Sequence, residues 1–256
     1  MKTSVVIANF NSENYIEECI QSLQSQTYKD IEIIFFDDNS SDNSLDKIKK
    51  FSNVKVIDNK NQTKYGSLNQ LNAFRESINQ STGDLIFFLD SDDYFHEKKV
   101  ETIVNYFKNN KETKIVFDLP INVYESSNYI EKGKKNFFKT YWPFIHPTSC
   151  ITIKKEVFGK LFTSISSKDF TDVWMDLRIC LYAKYILKNF NKVDENLTYY
   201  RRTESNISSK FKKYSKSWWK RRSQAHEYFH FFCKNNDIKF EKNLDYLLTK
   251  FICLFI

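Results

Sequence analysis

The sequence predicts an α/β protein with a mostly parallel central sheet flanked by helices and a helical extension at its carboxyl end. Three observations carry that expectation. Short β-branched and aromatic runs at residues 3–8, 31–36, 54–57 and 85–89 alternate with amphipathic stretches, and strand–helix–strand with short connections builds parallel βαβ units with right-handed crossovers. The run Leu85-Ile86-Phe87-Phe88-Leu89 is apolar at every position, the pattern of a strand covered on both faces. Beyond residue 208 the alternation stops and a basic, aromatic helical pattern follows. With 256 residues, 41% of them hydrophobic, the chain can bury a large core and is not a disordered sequence.

Residues 3–8 (TSVVIA) read as the first strand and Asn9-Phe10-Asn11-Ser12 as the polar turn after it. Asn11 or Ser12 is suited to cap a helix from about residue 13, with Ile16, Cys19, Ile20 and Leu23 as its buried stripe. The second strand, IEIIFF, runs into the turn DDNSSDNS, whose Ser and Asp side chains suit the start of a helix with Leu45, Ile48 and Phe51 inward. A third strand at 54–57 and a helix over 67–81 precede the apolar fourth strand. Further on, the pattern predicts a helix at 97–110, strands at 114–117, 150–153 and 191–199, and a helix at 172–187. The segment 120–145 is less regular, and there is neither an internal repeat nor a clear linker.

Composition narrows the function. The five cysteines stand singly, without a C-x-x-C pair, which favours reduced thiols in a cytoplasmic protein over disulfides or a zinc site. The apolar runs fall short of the ~18–20 residues of a membrane span. No G-x-G-x-x-G or G-x-x-x-x-G-K fingerprint is present, so dinucleotide or P-loop binding is unsupported. The net charge is +7, and residues 210–222 hold seven Lys or Arg and no acid. No nucleic-acid-binding motif accompanies them, so nucleic acid is not an expected partner.

The fourth strand runs directly into Asp90-Ser91-Asp92-Asp93. Acids gathered at a strand end repel one another unless a cation or donors neutralise them. Ligands of open α/β sheets sit outside the carboxyl ends of the strands, and carboxylates there suit Mg²⁺ or Mn²⁺ held beside substrate phosphates. The other reading is a solvated acidic turn. Strand ends at 9–12, 37–42 and 90–93 are expected to face one crevice.

Five motifs in register, SVVIANFN, QSQTYKDIEIIFFDDNSSDNS, TGDLIFFLDSDD, the acid-bearing stretch at 171–178 and YRRTESNIS, cover about residues 3–208. Their order resembles glycosyltransferase family 2, inverting nucleotide-sugar glycosyltransferases of the GT-A fold. The resemblance implies a catalytic domain over 1–208, with a nucleotide-sugar-binding half to about residue 110 and an acceptor-binding half after it, and an extension at 209–256. It implies that Ala8 and Phe10 border the nucleotide and that Asp38 binds the base, typically uracil. A carboxylate can accept the uracil N–H, although Asp38 also suits helix capping; Asp42 reads as a cap. Asp90-Ser91-Asp92 resembles the family's D-x-D, with Asp92 the main metal ligand and Asp90 beside it, near the ribose or bound water. Aligned on Arg178, the catalytic base falls at Asp172, with Asp169 and Asp176 as rivals. Arg201 matches the loop that closes over the diphosphate.

The chain departs from the family pattern in several places. Ala8 stands where Pro is usual, Asn39 replaces the Gly of the D-D-G-S turn, and Thr203 replaces a frequent His. The A-R-N segment is missing; Lys64 is the candidate to supply the diphosphate contact otherwise given by Arg. The resemblance implies a divalent metal, a nucleotide-diphosphate sugar, most simply UDP-linked, and a glycan or lipid-linked saccharide acceptor in surface-polysaccharide synthesis. A sugar nucleotidyltransferase and a non-catalytic partner of the same fold are the competing readings. In the extension, Trp218, Ala225, Phe229 and Phe232 share a helix face beside many lysines. That helix can lie on an anionic membrane surface or pack on the catalytic domain, so a peripheral position on the inner membrane face is one expectation.

Overall fold

The computed structural model describes residues 1–124, 129–132, 142–188, 190–202 and 211–256. The end of the YRRTESNIS motif, with Thr203 and Ser208, lies outside them.

The first four strands, β1 (Thr3–Asn9), β2 (Ile31–Asp38), β3 (Val54–Asn59) and β4 (Leu85–Asp90), are all parallel and lie in the order β3-β2-β1-β4. Helices α1 (Ile16–Gln24), α2 (Ser44–Ile48) and α3 (Gly66–Asn79) connect them. The chain builds outward from β1 on one side, then returns to add β4 on the other, so the strand order reverses between β1 and β4. Alternation sorts the side chains: Val5, Ile7, Phe35 and Phe87 pack with α1 and α2, while Val6, Ile34, Ile86 and Phe88 pack with α3. Every apolar residue of β4 is fully buried, as its unbroken hydrophobic run predicts. At Gly83, which enters β4, a Cβ would sit 2.5 Å from the backbone nitrogen of Ser4; only glycine allows β1 and this turn to approach so closely.

The second half extends the sheet with mixed orientations, so its parallel character belongs chiefly to the first four strands. After the two-residue β5 (Tyr94–Phe95) and α4 (Lys99–Asn109) come β6 (Ile115–Tyr124), β7 (Tyr129–Lys132), β8 (Ile151–Lys154) and β9 (Phe190–Arg202). β8 pairs antiparallel with both β4 and β6, β6 runs parallel to β9, and β9 turns back to pair with β5 beside the acidic turn.

Two local expectations change. The helix expected at 172–187 is α6 (Met175–Tyr182), followed by a π turn to Leu187. Its start is delayed because the buried Arg178 guanidinium takes the carbonyls of Ile165, Ser167, Phe170 and Val173, folding 165–173 into a loop around itself. Asp172 therefore precedes the helix instead of lying in its first turn. Likewise α1 starts at Ile16, and no side chain caps it. Asn11 adopts φ 51°, and its Oδ1 accepts the Ser41 N–H at 2.8 Å; the Ser12 hydroxyl meets Ser91. Both tie strand ends together.

The extension forms α7 (Lys216–Asn235) and α8 (Leu244–Cys253). The aromatic face of α7 is not open to a membrane: Tyr228, Phe229 and Phe232 are buried against α5 (Phe158–Ile165), α6 and Trp142. Burying that face is the larger hydrophobic gain, at about 1.5–3 kcal/mol for each fully buried large side chain. Among the described residues no helix is long and apolar enough to cross a membrane.

Candidate active site

At the β1/β4 reversal Ala8 sits beside Asp90 in register, and the Ser91 N–H donates to the Ala8 carbonyl at 3.1 Å. This is the position where open α/β sheets take ligands. Neighbouring turns are stitched to it. The first acid of the β2 turn, Asp37, is buried and structural, accepting from Asn9 Nδ2 at 2.7 Å and from the Ser40 N–H and hydroxyl. Asn39 takes the left-handed conformation, φ 57°, that a Gly there would take. Asp38 faces the other way. It accepts from Asn59 Nδ2 at 2.7 Å and Gln62 Nε2 at 3.1 Å and caps no helix. Asp42 accepts the Ser44 N–H at 3.0 Å just ahead of α2 and the Glu13 N–H at 2.9 Å from the turn after β1, joining the two turns, while the cap position of α2 is Asn43, which makes no side-chain cap.

The acidic turn differentiates its members. Asp93 is buried, accepting the Ser149 hydroxyl and the Arg201 N–H, and burial beside Asp92 and Asp90 pushes its carboxyl well above the usual range. Ser91 is also buried and donates to Ser12 at 2.9 Å. Asp90 accepts from Gln70 Nε2 at 2.9 Å; burial, Asp92 and Asp176 together raise its pKa to about 7. Asp92 is partly exposed, and its carbonyl accepts from Arg201 Nε at 2.7 Å. Arg201 lies against the back of the turn, ion-paired with Glu18 and flanked by the rings of Tyr15 and Tyr94, each 4.9 Å away.

Beneath the turn is a polar network that the sequence reading missed. Lys99 is fully buried and its ammonium donates to Asp118 Oδ1 at 2.9 Å, to the Ser149 carbonyl at 2.6 Å and to Thr198 Oγ1 at 2.6 Å. Thr198 in turn donates to Asp118 Oδ2 at 2.6 Å. The Ser149 hydroxyl accepts the Asp90 N–H at 3.1 Å while donating to Asp93. Four elements of the second half thus fix the turn from below. The available signal was a pair of opposite charges, each interrupting an apolar pattern: Lys99 four residues before Ile103 on α4, and Asp118 inside the run IVFDLPI. Buried charges are costly unless paired, so two such interruptions point to each other.

The remaining candidates lie at the rim. Phe10 is 52% exposed, and Lys64 is exposed with its ammonium 5.1 Å from the Tyr65 ring centre. Asp172 is half-buried; its N–H donates to Gln224 Oε1 of α7, and the preceding Thr171 carbonyl accepts from Ser67 at the start of α3. Asp176 is the acid of this segment whose charge reaches Asp90, and burial raises its own pKa.

The model of the family described as glycosyl transferase family 2 matches residues 4–162, more than half of the chain. The chain belongs to glycosyl transferase family 2. An uncharacterized glycosyltransferase of Nostoc sp. is 31% identical over 218 residues, covering 78% of this chain and 65% of its own length. An Escherichia coli UDP-Glc:alpha-D-GlcNAc-diphosphoundecaprenol beta-1,3-glucosyltransferase is 34% identical over 51% of this chain and 49% of its own. This family 2 chain thus spans about half to two thirds of these relatives. The crystal structure of S. aureus TarS 1–349 in complex with UDP-GlcNAc aligns with TM-score 0.65 over 99% of this chain and 70% of its own, at 16% identity. A Pyrobaculum calidifontis mannosyltransferase with GDP-Man and Mn²⁺ aligns with TM-score 0.59 over 97% of this chain and 68% of its own, at 13% identity. These likenesses establish the GT-A fold.

The donor set also bears on a metal. Carboxylate oxygens are hard ligands suited to Mg²⁺ or Mn²⁺; burial first and then repulsion from Asp92 raise the Asp90 pKa, and a divalent cation relieves the repulsion. Among the described residues no three His, Cys, Asp or Glu side chains are grouped to hold a metal by themselves. Asp90 and Asp92 fit a site completed by phosphate oxygens and water, the usual arrangement for Mg²⁺.

Proposed function

We propose that this family 2 protein is an inverting, divalent-metal-dependent glycosyltransferase, moving a sugar from a nucleotide diphosphate, most simply UDP, to a hydroxyl of a glycan or lipid-linked saccharide. The observation that carries the reading is the placing of Asp90 and Asp92 at the β1/β4 reversal, beside Ala8 and within a family 2 chain. The named activities of the E. coli relative above and of a Staphylococcus aureus poly(ribitol-phosphate) beta-N-acetylglucosaminyltransferase, 36% identical over 45% of this chain and 36% of its own, support a role in surface-glycan synthesis. That role suits a cytoplasmic enzyme working against the inner face of an anionic membrane.

In this reading Asp38 accepts the uracil N–H, held in place by Asn59 and Gln62. Ala8 and Phe10 border the nucleotide, and the Ser91–Ser12 hydrogen bond fixes the floor. Gln70 Oε1 is buried with no partner among the described residues; a ribose hydroxyl or a coordinated water would satisfy it. Asp92, assisted by Asp90, would hold Mn²⁺ or Mg²⁺, which when bound neutralises charge growing on the leaving diphosphate. Lys64 reaches in from the rim, and Arg201 supports the diphosphate side through the turn it holds. Asp172 takes the acceptor hydroxyl's proton as that oxygen bonds to the anomeric carbon and the sugar–phosphate bond breaks on the opposite face. One displacement of this kind inverts the anomeric configuration.

The test is a thermal-shift series with UDP, GDP, CDP and dTDP, each with and without Mn²⁺, since a ligand of the native state raises apparent stability by RT ln(1 + [L]/Kd). A metal-dependent shift with UDP that vanishes in Asp92→Asn is the expected result. Undiminished binding in that variant would refute the ligand assignment, and no shift with any nucleotide would indicate a non-catalytic partner.

A further inference from the structure

Helix α8 turns its polar side to the protein and its apolar side outward. Inward, Asp245 pairs with Arg222 and accepts the Trp142 indole N–H at 3.0 Å. Thr249 is buried, Lys250 donates to Ser223 at 3.0 Å and pairs with Glu227, and the Cys253 thiol lies 3.5 Å from the Trp219 carbonyl. Outward stand Leu244, Leu247, Leu248, Phe251, Leu254 and Phe255, each between 50% and 82% exposed. A surface helix normally buries its apolar stripe, and contiguous exposed apolar patches mark interaction sites. The attachment of α8 to α7 is made by specific polar contacts, which fix the leucine and phenylalanine face toward the exterior.

We infer that this face docks on an anionic lipid bilayer, with α8 lying in the plane of the headgroup region. This deepens the lipid-carried acceptor reading above, on which its purpose rests. Charge selects the occupant. The Cys253–Trp219 and Lys250–Ser223 contacts bring the end of α8 to the first turns of α7, where Lys216 and Lys220 are exposed, just after the exposed Lys212 and Lys213. Tyr214, 64% exposed, and the partly exposed Trp218 and Trp219 stand in the same region, amphipathic rings suited to a membrane interface. At the other end lie Lys242 and the Lys239–Glu241 pair. An apolar helix face with a basic cluster at its carboxyl end matches an anionic bilayer. Parallel pairing of two copies through this face would instead oppose the two lysine clusters, and antiparallel pairing would leave both clusters without a counter-charge. Among the described residues α7 links the Asp172 segment to α8: its Gln224 accepts the Asp172 N–H while its Arg222 and Ser223 hold α8. Docking α8 would therefore bring the Asp172 segment within one helix layer of the lipid surface.

The experiment is co-sedimentation of the full chain with phosphatidylcholine vesicles, with and without phosphatidylglycerol. The partition coefficient should be at least tenfold higher with the anionic lipid, and raised salt should lower it. Leu248→Ser/Phe251→Ser should lose at least tenfold with no fall in Tm, because both side chains are already exposed; Lys216→Gln/Lys220→Gln should lose binding mainly at low salt. Wild-type partition equal to that of the serine variant, or equal on neutral and anionic vesicles, overturns the inference. So does a dimer in sedimentation velocity that the serine variant dissociates while neither protein binds vesicles. Vesicle binding is read without donor or acceptor, so a protein that binds lipid but no nucleotide sinks the transferase reading alone.

Discussion

Lys99→Met removes the cation from beneath the acidic turn, and the geometry sets the size of the effect. The ammonium is fully buried and makes three hydrogen bonds, two at 2.6 Å and one at 2.9 Å. Without it the Asp118 carboxylate keeps the Thr198 hydroxyl and its own backbone N–H but no cation, inside an environment that already raises its pKa through burial. Breaking a buried pair by removing one partner costs about 3–5 kcal/mol, because the other charge is left uncompensated. At about 2–4 °C per kcal/mol for chains of this size, Tm should fall by roughly 6–20 °C. Removing both charges, in Lys99→Met/Asp118→Leu, should recover most of that loss. The Thr198 hydroxyl then has a ready acceptor in the Ser149 carbonyl, 3.3 Å away. Urea unfolding of the two single variants and the double, read as a double-mutant cycle, checks this. A Lys99→Met loss under about 1 kcal/mol, or strictly additive variants, would refute the reasoning and make the pair incidental to the fold.

Four further outcomes follow from the same geometry. Ser149→Ala removes the acceptor of the Asp90 N–H and the donor to Asp93; it should cost about 1–3 kcal/mol and weaken Mn²⁺-dependent UDP binding by roughly tenfold, measured by calorimetry. Asp172→Asn should spare UDP binding and cut transfer by at least about 10²-fold; a variant that keeps most turnover moves the base to Asp176, tested by Asp176→Asn. Arg178→Lys cannot supply a fork to four backbone carbonyls, so it should destabilise the 165–173 loop by about 2 kcal/mol or more and lower turnover more than UDP affinity. His146 is buried between Phe117 and Phe144 with its pKa lowered to about 3. Its unfolded form binds protons that the folded form refuses, so stability falls as pH drops below about 6.5, by about 1.4 kcal/mol per pH unit. Relative to His146→Leu, the wild type should lose about 2.3 kcal/mol between pH 6.5 and 4.5 in urea titrations, because the unfolded imidazole is already half protonated at pH 6.5, and equal slopes would contradict the shift.

The sequence by itself determined whatever depends on local pattern. Alternating apolar runs specify the four parallel strands and their connecting helices, because side-chain period decides which face is buried. The unbroken run before Asp90 specifies a strand covered on both sides, and chain order alone places the acids at its carboxyl end. Asn39 could be read as the left-handed residue of its turn because that preference belongs to the residue itself.

Tertiary structure decided what depends on partners distant in the chain. Whether Asp37 or Asp38 is structural, and whether Asp93 is a surface acid or a buried one, depends on Asn9, Ser149 and Arg201, up to 108 positions away. Arg178 halts a helix that local periodicity would start at Asp172, since it takes the Val173 carbonyl that such a helix would use and holds the preceding carbonyls of Ile165, Ser167 and Phe170 in a loop. Lys99 and Asp118 each look misplaced alone and become one buried pair only when α4 meets β6. The extension shows the same division. Helical spacing marks the apolar face of α7, but only packing determines that it is spent on the core while the apolar side of α8 is left outward.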